Sequence, residues 1–233
     1  MNKKILIFTA TYNEAENIRK FIEKILKLNI KLDLLIIDDN SPDETWKIVN
    51  EYKKENENII LVKRESKEGL DTAHKFAFNY AKDHNYDYLI TLDADLSHDP
   101  EKIPNFLDEL KNNPFLIGSR YVKDGKNEMK LKRYILSSVG NKIIKLVLGV
   151  NSDEFTSGYR GFNLKMLGNF DMNKVSSKGY SFFMETVYLI SAAGHNIKQI
   201  PIRFKDREKG ISKIPKIETF RTLKNLFLLK IKE

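Results

Sequence analysis

Cysteine is absent from this 233-residue sequence, and so is any long apolar run. Without cysteine the chain cannot use a disulfide framework, a thiolate zinc site or a cysteine nucleophile. The best apolar candidates, Ile143–Val150 and Val187–Ala193, fall well short of the ~18 residues that can span a bilayer, and they fit buried helices better. We therefore expect a soluble or membrane-peripheral protein on the cytoplasmic side.

Positive charge is concentrated near the C-terminus. The formal net charge is +8, and the segment from Pro201 to Glu233 accounts for +6 of it, with ten Lys or Arg residues against four acidic ones. Such a tail suits an anionic partner, which could be a membrane surface, a nucleic acid or a phosphorylated substrate.

Short apolar runs alternate with helical patterns through the first half of the chain. This alternation predicts an α/β fold with a mostly parallel central sheet flanked by helices. The predicted strands are Lys4–Ala10, Leu32–Asp38, Ile59–Lys63, Tyr88–Leu92 and Phe115–Gly118, and the predicted helices are Glu14–Leu28, Asp43–Lys54, Leu70–Lys82 and Pro100–Lys111.

The second half is less regular. We predict helices over Leu131–Leu148, Tyr180–Ala193 and Lys216–Lys232, a strand pair or loop over Phe155–Leu164, and an edge strand over Ile197–Phe204. Nothing resembles a linker or an internal repeat. The simplest organisation is one domain over residues 1–215, followed by a basic amphipathic helix over 216–233.

Acidic residues follow several predicted strands, where an open parallel sheet binds its ligands. Asp38-Asp39 follows the second strand, and Asp93-Ala94-Asp95 follows the fourth. Neither G-x-G-x-x-G nor G-x-x-x-x-G-K-[ST] occurs, which disfavours a dinucleotide dehydrogenase and a P-loop NTPase. A D-x-D tripeptide is often only a turn, but after a buried strand it can hold a divalent cation that bridges to a diphosphate.

Six motifs in order resemble the dolichol-phosphate (polyprenol-phosphate) mannosyltransferases of glycosyltransferase family 2. The resemblance extends from residue 5 to about residue 215 and implies a Rossmann-like GT-A fold. The motifs are Ala10-Thr11-Tyr12-Asn13-Glu14, Asp38-Asp39-Asn40-Ser41-Pro42-Asp43, Asp93-Ala94-Asp95-Leu96-Ser97-His98-Asp99-Pro100, Gly118-Ser119-Arg120-Tyr121, Thr156-Ser157-Gly158-Tyr159-Arg160 and Arg207-x-x-Gly210-x-Ser212-Lys213.

The resemblance implies a role for each matching position. It implies transfer of mannose from GDP-mannose to a polyprenyl or dolichyl monophosphate, with inversion at the anomeric carbon and with Mg²⁺ or Mn²⁺ as cofactor. Asp95, Arg120, Arg207 and Lys213 would be catalytic. The implied nucleotide-sugar site is Ala10, Tyr12, Glu14, Ile37, Asp39, Asp93, Ala94, Asp95, Arg120, Arg207 and Lys213, the acceptor-phosphate site is Arg133 and Ser137, and the metal site is Asp93, Asp95 and Ser97.

Two departures from the family pattern bear on the donor. Ala10 stands where the family usually has proline, and Asp71 interrupts a stretch that in the family reads Gly-Leu-Gly-x-Ala. The alternatives are therefore the same fold with UDP-glucose, UDP-GlcNAc or a saccharide hydroxyl acceptor and, more distantly, a basic nucleic-acid-binding module. The module is disfavoured because the residues before Pro201 net only +2; we expect no nucleic-acid partner.

The C-terminal helix and two single residues have competing interpretations. The C-terminal helix could dock on the domain, or it could lie in a membrane interface with Phe220, Leu223, Leu226, Phe227 and Leu228 toward lipid. We favour the interface, because a lipid acceptor must be reached from a membrane surface; a membrane-embedded partner subunit stays open. Arg120 could be a surface salt-bridge partner, and Glu185 could be a buried paired acid or an acceptor-orienting group.

Overall fold

The computed structural model describes residues 3–205 and 218–231, without the side chains of residues 218–220. Its strands are β1 (Ile5–Thr11), β2 (Asp33–Asp38), β3 (Ile59–Lys63), β4 (Tyr88–Thr91), β5 (Phe115–Ser119), β6 (Lys126–Asn127), β7 (Arg160–Asn163), β8 (Ile197–Pro201) and β9 (Arg203–Phe204). Its α-helices are α1 (Ala15–Leu26), α2 (Thr45–Glu55), α3 (Leu70–Asp83), α4 (Ile103–Glu109), α5 (Leu131–Leu148), α6 (Leu164–Leu167), α7 (Ser181–Ala192) and α8 (Glu218–Ile231), with 3₁₀ turns at Pro100–Lys102 and Met172–Lys174.

Seven strands form one sheet in the order β3-β2-β1-β4-β7-β5-β8, and β6 pairs with β9 in a separate small sheet. Only β7 is antiparallel to its neighbours in the large sheet. The predicted α/β fold with a mostly parallel sheet is therefore confirmed. Pro201 ends the edge strand β8, where a residue without an N–H group is tolerated.

Apolar side chains cover both faces of this sheet. On α1 the buried residues Ile18, Phe21, Ile22 and Ile25 repeat at helical spacing, and they pack in one cluster with α4. The opposite face is covered by a second cluster with members from α3, α5, α7 and α8. Burying apolar stripes on both faces leaves the ends of the strands as the place where polar side chains can gather.

The strand register brings three carboxyl ends to one edge of the sheet. Ala10 of β1 pairs with Ile37 of β2, and Phe8 pairs with Thr91 of β4. Because β7 runs in the opposite direction, Arg160 at its start pairs with Thr91. The segment that precedes β7 therefore meets the end of β4.

Two local patterns differ from the prediction. Helix α2 begins at Thr45 rather than Asp43, because Oδ1 of Asp43 accepts hydrogen bonds from both the N–H and the hydroxyl of Thr45. Phe155–Leu164 is neither a strand pair nor wholly a loop: its second half is the single strand β7, inserted between β4 and β5. That placement depends on pairing with distant strands, which a local pattern does not encode.

The C-terminal helix α8 carries two apolar stripes. Leu226 and Leu229 are buried in the core, so Leu226 does not face outward as predicted, whereas Leu223, Phe227 and Leu228 are exposed. The side chain of Phe220 lies outside the described residues. Among the helices of the described ranges, none is both long and apolar enough to cross a bilayer.

Candidate active site

A cleft of about 400 Å³ opens at the carboxyl ends of β1, β2 and β4. It is closed on the far side by the segment before β7, by the start of α7 and by α8. Its walls contain seven of the residues predicted for the nucleotide-sugar site: Ala10, Tyr12, Glu14, Asp39, Asp93, Ala94 and Asp95. Ile37, by contrast, is fully buried in the apolar cluster beside β1.

Asp39 is held on both of its oxygens. Its Oδ1 accepts a hydrogen bond of 2.8 Å from Nη1 of Arg64, and its Oδ2 accepts one of 2.9 Å from the N–H of Gly69. The same Nη1 also donates to Oγ1 of Thr72 on α3. The Asp39 and Arg64 side chains are both nearly buried, so the carboxylate has a fixed orientation at the floor of the cleft.

Tyr12 and Glu14 lie on the loop between β1 and α1. The ammonium group of Lys67 lies 3.7 Å from the centroid of the Tyr12 ring, which is close enough for a cation–π contact. Oε2 of Glu14 accepts a hydrogen bond from Asn17, and its N–H donates to Thr45 on α2. The aromatic ring of Tyr12 and the carboxylate of Glu14 thus line the same side of the cleft.

Asp93 and Asp95 face the cleft from the loop after β4. Oδ1 of Asp95 accepts hydrogen bonds from the N–H and the hydroxyl of Ser97, at 3.0 and 2.6 Å. The N–H of Asp93 donates to Nδ1 of His98, which is also 3.4 Å from Oδ2 of Asp93. The pKa of His98 is lowered to about 4, chiefly by burial; Asp95 opposes this effect and Arg120 adds to it. His98 is therefore a neutral imidazole behind the aspartates.

The residues around Asp93 fit a hard divalent cation. A Cβ on Gly158 would lie 2.8 Å from Oδ1 of Asp93, so the glycine leaves room for that carboxylate. No group of three or more His, Cys, Asp or Glu side chains within the described ranges could hold a metal. Two carboxylates are nevertheless the usual protein share of a Mg²⁺ site that is completed by substrate phosphates.

Arg120 lies apart from this cleft, in contact with α5. Its Nε is 3.3 Å from Oε2 of Glu154, and both side chains are buried, so the pair is not the surface salt bridge that we considered. Its Nη2 donates to the hydroxyl of Ser137, which also accepts a 2.7 Å hydrogen bond from Tyr121. Arg120 is thereby placed beside a residue predicted for the acceptor phosphate.

The remaining predicted residues divide into two groups. Arg133 is exposed on the first turns of α5, one helical turn before Ser137. Arg207 and Lys213 lie outside the described residues. The roles predicted for all of these residues stay predictions.

Glu185 has a structural explanation. It is buried on α7, and its two oxygens accept hydrogen bonds from the N–H groups of Ser176 and Ser177 and from the hydroxyl of Ser176. The carboxylate therefore fixes the segment that leads into α7, in line with the buried paired acid that we considered. None of these partners could be read from the apolar sequence around Glu185.

Several residues of the cleft were not predicted from the sequence. Lys67, Lys178 and Arg221 line it, and Arg64 supports it from behind. These residues lie outside the six motifs, and an isolated basic residue carries no signal of its own. Asp71, noted as a departure, also lines the cleft, and its Oδ1 accepts a 2.9 Å hydrogen bond from the N–H of Gly179.

Curated relatives resemble nearly the whole chain. It is 32% identical over 212 residues to an undecaprenyl-phosphate mannosyltransferase of Micrococcus luteus, which covers 91% of this chain and 87% of the relative. It is also 32% identical over 215 residues to a polyprenol monophosphomannose synthase of Mycolicibacterium smegmatis, covering 91% and 81% of the two chains.

Solved structures share the fold at much lower identity. The mannosyltransferase PcManGT from Pyrobaculum calidifontis, solved with GDP-Man and Mn²⁺, superposes with a TM-score of 0.63 at 16% identity over all of this chain. This chain spans 65% of that protein's length. The family model for glycosyl transferase family 2 matches residues 6–170. From the family match and the 32% identity to curated relatives, this chain belongs to glycosyltransferase family 2.

Proposed function

We propose that this protein transfers mannose from GDP-mannose to a polyprenyl or dolichyl monophosphate. The observation that carries the proposal is the 32% identity, over 91% of the chain, to two relatives named for this type of transfer. UDP-glucose or UDP-GlcNAc as donor, and a saccharide hydroxyl as acceptor, are the alternatives for the same cleft.

In this proposal the nucleoside binds between β1 and β2. Tyr12 offers an aromatic face, and Glu14 and Asp39 accept hydrogen bonds from base or ribose. Because Arg64 and Gly69 fix the Asp39 carboxylate before any ligand arrives, little orientation entropy is lost on binding.

Asp93 and Asp95 would hold a Mg²⁺ or Mn²⁺ ion, with Ser97 orienting Asp95 through two hydrogen bonds. A bound cation would stabilise the charge that develops on the diphosphate. Arg207 and Lys213 are proposed to close over the same diphosphate.

The reaction is a single displacement with inversion. An oxygen of the lipid phosphate forms a bond to the anomeric carbon, the bond from that carbon to the diphosphate breaks, and the nucleoside diphosphate leaves with the electron pair. A phosphate monoester with a second pKa near 6 is largely deprotonated at pH 7, so no general base is required. Arg133 and Ser137 are proposed to bind the acceptor phosphate. Arg120 was predicted for the donor site, but because it contacts Ser137 we now propose that it acts beside the acceptor phosphate.

An exposed apolar surface supports the proposal of a lipid acceptor. Helix α5 exposes six large apolar side chains, and α8, which packs beside it, exposes four more. We call this the α5–α8 face; it consists of Leu131, Ile135, Leu136, Val139, Ile143, Leu146, Leu223, Phe227, Leu228 and Ile231. Exposed apolar surface of this extent marks an interaction site.

We assign the α5–α8 face to the surface of an anionic bilayer on the cytoplasmic side. Exposed Lys132, Lys142 and Lys230 interrupt or border its apolar side chains, which is the arrangement of interfacial helices that contact anionic headgroups. Arg133 and Ser137 lie on the same helix, so the proposed phosphate site is close to the bilayer.

The transfer is tested with purified protein, labelled GDP-mannose, Mg²⁺ or Mn²⁺, and undecaprenyl monophosphate. We expect a labelled lipid product with wild type and none with Asp95→Ala. A panel of UDP-sugars separates the alternatives, and the absence of lipid product with every donor would refute the proposal.

Membrane binding is tested by co-sedimentation with vesicles that contain anionic lipid. Leu136→Glu and Leu146→Glu together should abolish binding, whereas Met166→Glu should not, because Met166 is an exposed apolar residue on α6, outside the α5–α8 face. Equal binding of the double variant and wild type would remove the membrane assignment.

A further inference from the structure

The C-terminal helix contributes a basic side chain to the cleft. Arg221 of α8 lines it together with Lys178, Gly179 and Tyr180, from the segment at the start of α7. The sequence motifs assign no role to Arg221, because the resemblance ends near residue 215.

The position of Arg221 is set by packing around it. Leu226 and Leu229 of α8 are buried in the same apolar cluster as Phe182 and Phe183 of α7. The hydroxyl of Ser181, at the start of α7, lies 3.5 Å from the hydroxyl of Thr222, the residue next to Arg221. These contacts fix the helix beside the cleft, so that Arg221, whose side chain is itself exposed, lies at the edge of the cleft that it lines.

Acidic residues outnumber basic ones in the cleft, so a basic group that binds phosphate is needed there. Five acidic residues line it, but only three basic ones among the described residues do: Lys67, Lys178 and Arg221. Lys67 lies over the Tyr12 ring, at the end proposed for the nucleoside. Lys178 and Arg221 thus supply the described positive charge on the side formed by α7 and α8.

We propose that Arg221 is a phosphate-binding residue of this cleft. Arginine binds two oxygens of one phosphate at once, which a lysine cannot do. The phosphate could belong to the diphosphate of the donor or to the monophosphate of the lipid. Helix α8 is near both candidate ligands, because it lines the cleft and also belongs to the α5–α8 face. This inference rests on the proposed function for the identity of its ligands.

The test compares Arg221→Ala and Arg221→Lys with Lys224→Ala in the full-length protein. Lys224 is the matched control, because it is exposed on the same helix, three residues away, and is not among the residues that line the cleft. Calorimetry with GDP and Mn²⁺ measures the affinity for the donor diphosphate. The KM for undecaprenyl monophosphate at saturating donor reports on binding of the lipid phosphate.

We expect Arg221→Ala to weaken the binding of one of these two ligands by about tenfold or more, because a charged hydrogen bond is lost. Arg221→Lys should have an intermediate effect, and Lys224→Ala should stay within about twofold of wild type. A change in the GDP affinity alone assigns the donor, and a change in the lipid KM alone assigns the acceptor. Values for Arg221→Ala that match Lys224→Ala in both measurements would overturn the inference.

The thermal midpoint of each ligand-free variant shows whether it is folded, and if Arg221→Ala is not, Arg221→Lys carries the test. The calorimetric measurement needs no turnover. If wild type binds GDP but makes no lipid product, the proposed function fails, while GDP binding by the Arg221 variants still tests whether Arg221 binds the donor diphosphate.

Discussion

Gly158 leaves the space that the carboxylate of Asp93 occupies, since a Cβ on Gly158 would come within 2.8 Å of Oδ1 of Asp93. The backbone of Gly158 is fixed as well, because its carbonyl accepts a 2.7 Å hydrogen bond from the hydroxyl of Thr91 on β4. A side chain at position 158 must therefore displace the carboxylate rather than the strand.

Gly158→Ala should weaken divalent cation binding with little loss of stability. The methyl group would turn the Asp93 carboxylate away from Asp95, so we expect Mn²⁺ affinity, measured by titration in the presence of GDP, to fall several-fold. Gly140→Ala is the control, because a Cβ at Gly140 meets nothing within 4 Å. Unchanged Mn²⁺ affinity in Gly158→Ala would show that Asp93 does not depend on this contact.

Arg64→Ala should cost both stability and nucleotide affinity. It removes the charged partner of the nearly buried Asp39 carboxylate, leaving the hydrogen bond from Gly69. Breaking a buried pair costs about 3–5 kcal/mol, and the remaining donor should reduce this to about 2–3 kcal/mol. Urea unfolding of the single variants Arg64→Ala and Asp39→Ala and of the double variant gives the coupling energy. A coupling below about 0.5 kcal/mol would mean that the pair acts independently.

Asp71→Ala should raise the KM for the donor, while Asp71→Asn should largely preserve it. Asp71 accepts the N–H of Gly179 across the cleft, and an asparagine oxygen can accept the same hydrogen bond. Loss of the acceptor would release the wall that carries Lys178 and Tyr180. Steady-state kinetics with a series of donor concentrations checks this. KM values raised equally in both variants would instead indicate that the charge of Asp71 matters, and wild-type KM values in both would show that the contact is not needed.

His74 should make the fold sensitive to mild acid. Its ring lies 5.0 Å from the rings of Phe8 and Phe183, and burial, helped by Arg160, lowers its pKa from 6.5 to about 3. Below pH 6.5 His74 therefore binds a proton in the unfolded chain but not in the folded chain. The free energy of unfolding then falls between pH 6.5 and pH 3, by about 3 kcal/mol at pH 4 from this residue.

Urea unfolding at pH 7 and pH 4 measures this effect. Between the two values, wild type should lose about 3 kcal/mol more stability than His74→Gln or His74→Phe, because neither replacement titrates in this range. Parallel pH profiles for wild type and both variants would show that His74 is not the responsible group.

Periodic patterns predicted the fold well wherever burial follows the local sequence. The stripe of Ile18, Phe21, Ile22 and Ile25 on α1 lies in the core as its spacing indicates. On α5 the same reasoning fails, because that helix is apolar on its exposed side as well as on its buried side. Spacing alone does not distinguish an apolar side chain that packs in the core from one that is exposed on the surface.

The cleft was predictable only where motifs follow strands. Parallel strands bring their carboxyl ends together, so Asp39, Asp93 and Asp95 could be expected near each other. Arg64 and Arg221 reach the site by folding from elsewhere in the chain, and their contacts depend on tertiary packing. The pairing of Arg120 with Glu154 likewise needs the antiparallel strand β7, which local patterns did not predict.

The placement of β7 has a consequence for how this protein could diversify. Residues 120–159 connect β5 to β7, and we call this connection the excursion. Because β5 and β7 are direct neighbours, the chain leaves and re-enters the sheet at adjacent positions. This excursion holds α5, Arg133 and Ser137, whereas the strands that bear Asp39 and Asp93 lie outside it. Lengthening such an excursion costs little closure entropy. The part of this excursion proposed to meet the acceptor can thus be remodelled without disturbing the side proposed to meet the donor, provided that Gly158 near its end stays beside Asp93.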